Sequence, residues 1–344
     1  MHLSVRRVLV VSAAMLLVST ILNAGPSGYH VTKTIKLGGD GGWDYLTVDA
    51  RARRVYISRG THVMVVDADS GALVGDIPNT NGVHGIAIAQ DMDKGFISDG
   101  RDNNVTIFDV KTLKVLGTAP TGKNPDAIIY DPASKRVFTF NGSSKDATAI
   151  DANTGTVAGT IPLGGKPEFA VADEKGHVFV NIEDTSEIVQ FNSDKLAVES
   201  RWKIAPGEEP SGLAMDRKHR RLFSVCSNKL MVVVDADNGR VVTTLPIGAG
   251  TDAAGFDPET GFAFSSNGSD GTVTVAREDS PDKFAVVENV PTLRRARTMA
   301  LDAKTHQLYT VTAEFGPPPA ATTEQPRPRA PMVPGSFTLL ILSR

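Results

Sequence analysis

Residues 136–164 read RVFTFNGSSKDATAIDANTGTVAGTIPLG. Three short β-type runs, RVFTF, ATAI and VAGTIPL, are separated by two turns. Asn-Gly makes the first turn and Asp-Ala-Asn-Thr-Gly the second. Both are turn chemistry, because Asp and Asn side chains bond their own backbone and glycine supplies positive φ. Strands this short, joined by turns this tight, must lie antiparallel in a meander.

The same pattern recurs along the chain. An Asp, a polar turn and an apolar–aromatic strand occur at 49–58, 131–140, 173–182, 216–225, 257–266 and 302–311, with a degenerate copy, DMDKGFIS, at 91–98. Their shared aromatic falls at Tyr56, Phe96, Phe138, Phe179, Phe223, Phe264 and Tyr309, at intervals of 40, 42, 41, 44, 41 and 45 residues. An alternating strand, a turn and another strand follow at 63–74, 105–116, 147–158, 188–199 and 231–242. Each repeat therefore carries four strands, here lettered a to d.

Four antiparallel strands repeated every 40–45 residues predict an all-β, seven-bladed β-propeller with four-stranded antiparallel blades. The last repeat supplies strands a (298–301), b (307–311) and c (336–343), and the chain then stops. At the other end, HVTKTIKL (30–37) resembles a d strand with no a–c partners before it. The N-terminal strand is expected to complete the last blade and lock the ring.

The stretch at 136–164 resembles the YVTN-type β-propeller repeat of YncE-like proteins: aromatic-Val, an Asn-Gly turn, an alternating strand, Asp-x-x-Thr-Gly, then a strand ending in Ile-Pro-x-Gly. The resemblance covers nearly all of 29–344; repeat 3 matches best, and repeats 4, 6 and 7 depart from the pattern. It implies an exported propeller and no particular reaction, since its residues build turns and core.

Residues 1–24 read as a secretory signal: Arg6-Arg7, an apolar run at 8–22, then Ala24-Gly25. An uncleaved anchor is the competing reading, for which the run is short. A single propeller domain over 25–344 follows, in the periplasm or secreted. The 344 residues carry a formal net charge of −3, which gives no footprint for nucleic acid or an anionic membrane. The one cysteine, Cys226, lies in an apolar run and reads as a buried thiol. No P-loop, dinucleotide fingerprint, HExxH, GxSxG or CxxCH is present.

Positions that align between blades yet vary are where a propeller places chemistry. Five residues before each anchoring Asp stand Asp44, Asp126, Glu168, Ser211, Asp252 and Arg297; in the degenerate second repeat Ala89 takes the anchor slot, which puts His84 at the same place. This is the first residue of the innermost strand, so these seven side chains are expected to ring the mouth of the central channel.

Crowded carboxylates raise one another's pKa or recruit a cation. Asp44, Asp126, Glu168 and Asp252 are candidate ligands for a hard cation such as Ca²⁺ or Mg²⁺. His84 could serve as acid or base, and the Arg297 fork could hold a carboxylate or phosphate. A merely hydrated polar channel is the plainer alternative.

On the same face, Trp43 is either a ligand platform or a half-exposed packing residue, and Arg294-Arg295-Ala-Arg297 is either an anion site or a solvated loop. The Pro-rich stretch 315–335 is a long b–c insertion in the last blade, readable as a lid, a partner-binding arm or disorder. Two functions compete. One is a monomeric binding module for a small molecule, ion or protein on the channel-mouth face. The other is a metal-assisted hydrolase or lyase using the ring carboxylates with His84.

Overall fold

A computed structural model describes residues 26–320, 322 and 328–344. The signal-peptide reading of residues 1–24 lies outside the described residues. Among those described, no helix is long and apolar enough to cross a membrane.

The chain forms seven four-stranded antiparallel sheets. Blade 3, from the repeat read first, runs Pro125–Asp131, Arg136–Asn141, Asp146–Asp151 and Val157–Pro162. Blade 7 takes three strands from the C-terminal end, Ala300–Asp302, Gln307–Thr312 and Thr338–Ser343. The N-terminal strand His30–Lys36 is its fourth. That strand pairs antiparallel with Thr338–Ser343, from His30 opposite Ser343 to Lys36 opposite Thr338. The expected closure is thus present, with strand boundaries shifted by a residue or two.

The seven repeat aromatics are all fully buried. Each packs between its own blade and the next. Phe138 joins Val178 and Val189 of blade 4, and Phe264 joins Leu308 and Leu340 of blade 7. Tyr309 of blade 7 packs with Leu46 and Val55 of blade 1, which closes the core into a ring. Burying one such ring contributes roughly 1.5–3 kcal/mol, so the repeat supplies most where blades meet.

The repeat aspartates hold the turns. Asp49 Oδ1 accepts from the Arg51 and Ala52 amides at 2.9 and 3.0 Å, and Asp151 Oδ1 accepts from the Asn153 and Thr154 amides in the outer turn. Where blade 2 lacks the anchoring Asp, a short 3₁₀ turn, Gln90–Met92, replaces the Asp-capped one. Cys226 is buried, and burial pushes its thiol up to about 12, as an inert core thiol requires.

Blade 7 carries the Pro-rich insertion. Its base is zipped by Gly316 N–H to Pro331 O at 2.9 Å and Val333 N–H to Glu314 O at 2.8 Å. Phe315 is held there, with the Arg295 guanidinium 3.9 Å above its ring.

Candidate functional site

Strand a of blades 2 to 6 carries an irregularity in its pairing with strand b, between Val83 and Ile86, Pro125 and Ile128, Pro167 and Ala170, Pro210 and Leu213, and Thr251 and Ala254. Each interval contains the ring residue. A bulge breaks the regular in–out alternation and re-aims a side chain, which is how five successive blades turn a polar residue to the channel.

The amides left over by the bulges are partly satisfied by strand b. Ser98 Oγ accepts from Gly85 N–H at 2.8 Å, and Ser266 Oγ from Ala253 N–H at 3.0 Å. Ser98 also donates to the Asp126 carbonyl, at 2.5 Å, and so ties one blade's bulge to the next blade's ring residue. Near the axis the inner strands almost touch: a Cβ on Gly212 would lie 2.5 Å from the Ala254 nitrogen. Only glycine permits that approach.

The ring residues come together around a cavity of about 310 Å³. Among the described residues its walls carry six carboxylates, Asp44, Asp126, Glu168, Glu183, Glu209 and Asp252, and one cation, Arg297. Ser211, Ser227 and Thr251 add hydroxyls, so Ser211 stands where the repeat alignment places it.

His84 is at the ring but is not one of the cavity's walls. Its Nδ1 lies 2.6 Å from Asp44 Oδ2 and 3.5 Å from Asp126 Oδ1, so it braces two carboxylates from behind. These three residues form a group able to hold a metal ion, their ligand atoms within 4.8 Å of one another.

Arg297 does not stand free for a ligand's anion. Its Nη1 is 3.0 Å from Asp252 Oδ2 and its Nη2 is 2.5 Å from Asp44 Oδ1. The fork thus binds blade 7 to blades 6 and 1. Of the four carboxylates expected as cation ligands, Asp44 and Asp252 share Arg297, Asp126 faces His84, and Glu168 meets Lys166 Nζ at 2.7 Å.

The electrostatics follow from burial and crowding. Burial pushes Asp126 up to about 6, helped by the Asp44 charge and opposed by His84. Glu168 rises to about 7 through burial and then the Asp126 charge. Burial likewise lifts Asp252 to about 7 against the pull of Arg297. Asp44 goes the other way. Burial would raise it, but the His84 hydrogen bond and Arg297 together hold it below the usual carboxylate range. For His84, burial is outweighed by Asp44 and Asp126, and its pKa is raised.

Trp43 resolves as a packing residue. Its ring lies 5.4 Å from Phe337 and 6.0 Å from Phe315, in the core shared by blades 7 and 1. It is not a platform for the cavity. Arg294 and Arg295 line a separate groove of about 1410 Å³, which shares Thr251, Asp252 and Arg297 with the ring cavity.

Sequence reasoning missed the cavity's floor. Tyr45 follows Asp44, and Phe169 follows Glu168; the other blades have Gly85, Ala127, Gly212, Ala253 and Thr298 at that position. The rings of Tyr45 and Phe169 meet at 4.6 Å between centroids. They come from blades 1 and 4, on opposite sides of the axis. Phe169 also packs against the clusters of blades 4–5 and 6–7. Together they span the channel one residue below the carboxylates, so the ring is a cup. Two aromatics where other blades have small residues were the available signal. The Tyr45 phenol stays protonated because it is buried among Asp126, Glu168 and Asp44, which raise it well above the usual tyrosine range.

No family model matches the sequence, and no curated protein matches it. The fold is shared with solved structures. A chain of Kuenenia stuttgartiensis hydrazine synthase superposes with a TM-score of 0.68 at 14% identity, covering 80% of this chain and 94% of that one. A chain from the crystal structure of a mitotic checkpoint complex gives 0.73 at 14% identity, covering 99% and 98%. At this identity the likeness shows the seven-bladed fold and nothing finer.

Proposed function

We propose that the protein is an exported, monomeric binding propeller whose channel mouth takes a small cation, either a hard divalent ion such as Ca²⁺ or Mg²⁺ or a ligand presenting an ammonium group. One observation carries this reading. Asp126, Glu168 and Asp252, pushed up to about 6, 7 and 7, face a cavity whose only lining cation among the described residues is Arg297. Such a site holds either protons or an imported positive charge. Carboxylate and hydroxyl oxygens suit a hard ion, and about 310 Å³ is at the small end of the range for organic ligands.

The aromatic floor supports a binding cup, since it blocks transit through the axis. The basic–apolar N-terminus and the YVTN-type repeats support export and kinship with YncE-like propellers. A metal-assisted hydrolase or lyase has less support. His84, its acid–base residue, does not line the cavity, and its Nδ1 is taken by Asp44.

Calorimetric titration of chelator-stripped protein with Ca²⁺, Mg²⁺ and a short diamine tests the reading and separates the two ligand classes. Saturable binding that Asp126→Asn and Glu168→Gln weaken at least tenfold is expected. Binding of none of the three, or binding indifferent to both substitutions, would overturn it.

A further inference from the structure

On the face opposite the cup, blades 5 and 6 bring a second set of ionisable groups together. Asp216 ends strand a of blade 5 (Pro210–Asp216), His219 lies in the turn after it, and Glu278 is on strand c of blade 6 (Thr272–Ser280). His219 Nδ1 stands 2.7 Å from Asp216 Oδ2 and 2.8 Å from Glu278 Oε1. The Asp216 and Glu278 side chains are only 3% and 4% exposed, while the imidazole is 34% exposed.

Two further facts set this cluster apart. Glu278 Oε2 is buried and has no hydrogen-bond partner among the described residues. No Lys or Arg among the described residues pairs with Asp216 or Glu278; the adjacent Arg217 is committed to Glu174 and the adjacent Arg277 to Asp279. Two buried carboxylates therefore meet at one imidazole nitrogen.

The other Asp–His pairs on this face are finished differently. Asp173 meets His177 but also takes Arg220 Nη1 at 2.9 Å. Asp257 meets His306, whose third neighbour, Glu259, is 74% exposed. Only at Asp216 is the third partner a buried carboxylate with a spare oxygen.

We infer that Asp216, His219 and Glu278 form a divalent metal site between blades 5 and 6, distinct from the channel-mouth cup. One imidazole nitrogen with two carboxylates suits a first-row ion better than Ca²⁺. The three ligand atoms lie within 4.8 Å of one another. Metal–ligand bonds of about 2.0–2.2 Å need them to part only slightly, with any proton held between them passing to water as the ion enters. Glu278 Oε2 gains a cation, and the exposed side of His219 leaves a position for water. Bound metal would pin the turn of blade 5 to the long hairpin of blade 6.

The test uses the untagged, chelator-stripped full chain carrying Asp126→Asn, which weakens the cup. Equilibrium dialysis against Zn²⁺, with elemental analysis, is expected to find one bound ion per chain. Adding Glu278→Gln or, separately, the half-exposed His219→Gln is expected to weaken that binding at least tenfold, while thermal melting confirms that each variant is folded. Co²⁺ bound to the parent should show a visible absorption band that both variants lose. No Zn²⁺ uptake by the Asp126→Asn chain, or uptake unchanged in both variants, would overturn the inference and leave a hydrogen-bonded cluster that ties the two blades together. Because the cup is equally weakened in every sample, a difference between the variants reports on this cluster and not on cation binding there.

Discussion

Glu168 Oε1 lies 2.7 Å from Lys166 Nζ, yet the Glu168 carboxyl is pushed up to about 7. An ion pair ordinarily lowers an acid. Here Lys166 also serves Glu183, and burial with the Asp126 charge outweighs its share. The cup is thus a place where folding works against ionisation.

That sets the pH dependence of stability. Asp126, Glu168 and Asp252 hold protons in the folded state at pH values where the unfolded chain has lost them, between about pH 4 and 7. Wherever the native state binds more protons, stability falls as pH rises. The raised His84 acts in the same direction, its contribution being lost as pH climbs past its folded value. The lowered Asp44, Asp173 and Asp302 act oppositely and lose their contribution on acidification below about pH 4. Stability of the cation-free protein is therefore expected to peak near about pH 5 and to fall by about 2–4 kcal/mol by pH 8. Thermal melts across pH in chelator read this as a Tm lower by about 5 °C. A Tm rising from pH 5 to 8 would contradict the assignment.

Neutralising one of these carboxylates relieves the crowding. Glu168→Gln keeps the shape and removes a charge that folding disfavours. It is expected to stabilise the cation-free protein by about 1 kcal/mol at pH 8 and to change little at pH 5. Urea denaturation at the two pH values checks both halves. Destabilisation at pH 8 would mean that the Lys166 pair outweighs burial.

Arg297 has the opposite role, since two carboxylates from two other blades depend on it. Arg297→Met leaves Asp44 and Asp252 without their shared cation. The guanidinium is 40% exposed, so water offsets part of the loss. A cost of about 1–3 kcal/mol is expected, largest above pH 7, where Asp252 must ionise. Chemical denaturation of the variant at pH 5 and pH 8 shows whether the loss grows with pH.

The scaffold was legible because its signals are local and repeated. Tyr56, Phe138 and Phe264 recur in register, and all are fully buried where the spacing puts them. The ring was legible because one aligned slot varied in chemistry while keeping its place. What escaped were contacts between blades far apart in sequence. Tyr45 meets Phe169 across the axis, and no single repeat contains both. Arg297 was readable as polar but not as spent on Asp44 and Asp252, because pairing depends on the curvature of the ring. Glu278 sits on an outer strand with no turn or motif to mark it, so only blade packing reveals its place beside His219.

The floor makes its own prediction. Tyr45→Ala removes one half of the pair that spans the channel and opens the cup toward the axis. Loss of the aromatic contact is expected to cost about 1–3 kcal/mol. Cation affinity should also fall, because water reaching the carboxylates from below weakens their field. Tyr45→Phe keeps the ring and should preserve both properties. Denaturation and calorimetric titration of the two variants separate the floor from the hydroxyl; equal losses in both would assign the effect to the hydroxyl instead.

Ring closure depends on a strand drawn from the other end of the chain. Five of the six residues of Thr338–Ser343 are buried, and its outer edge is paired only by His30–Lys36. Deleting 26–37 leaves that edge bare, with its backbone groups unpaired beside an apolar strand, an arrangement prone to edge-to-edge association. It also removes Tyr29, which packs edge-on against Phe264 at 5.2 Å in the core joining blades 6 and 7. The truncated chain is expected to lose the single cooperative melt and to associate, as seen by light scattering. A peptide covering 26–37, added in excess, should restore the melt, because it supplies the missing strand by the same pairing. A truncated chain that melts as a monomer at the temperature of the full one would show that closure comes from the Tyr309 core alone.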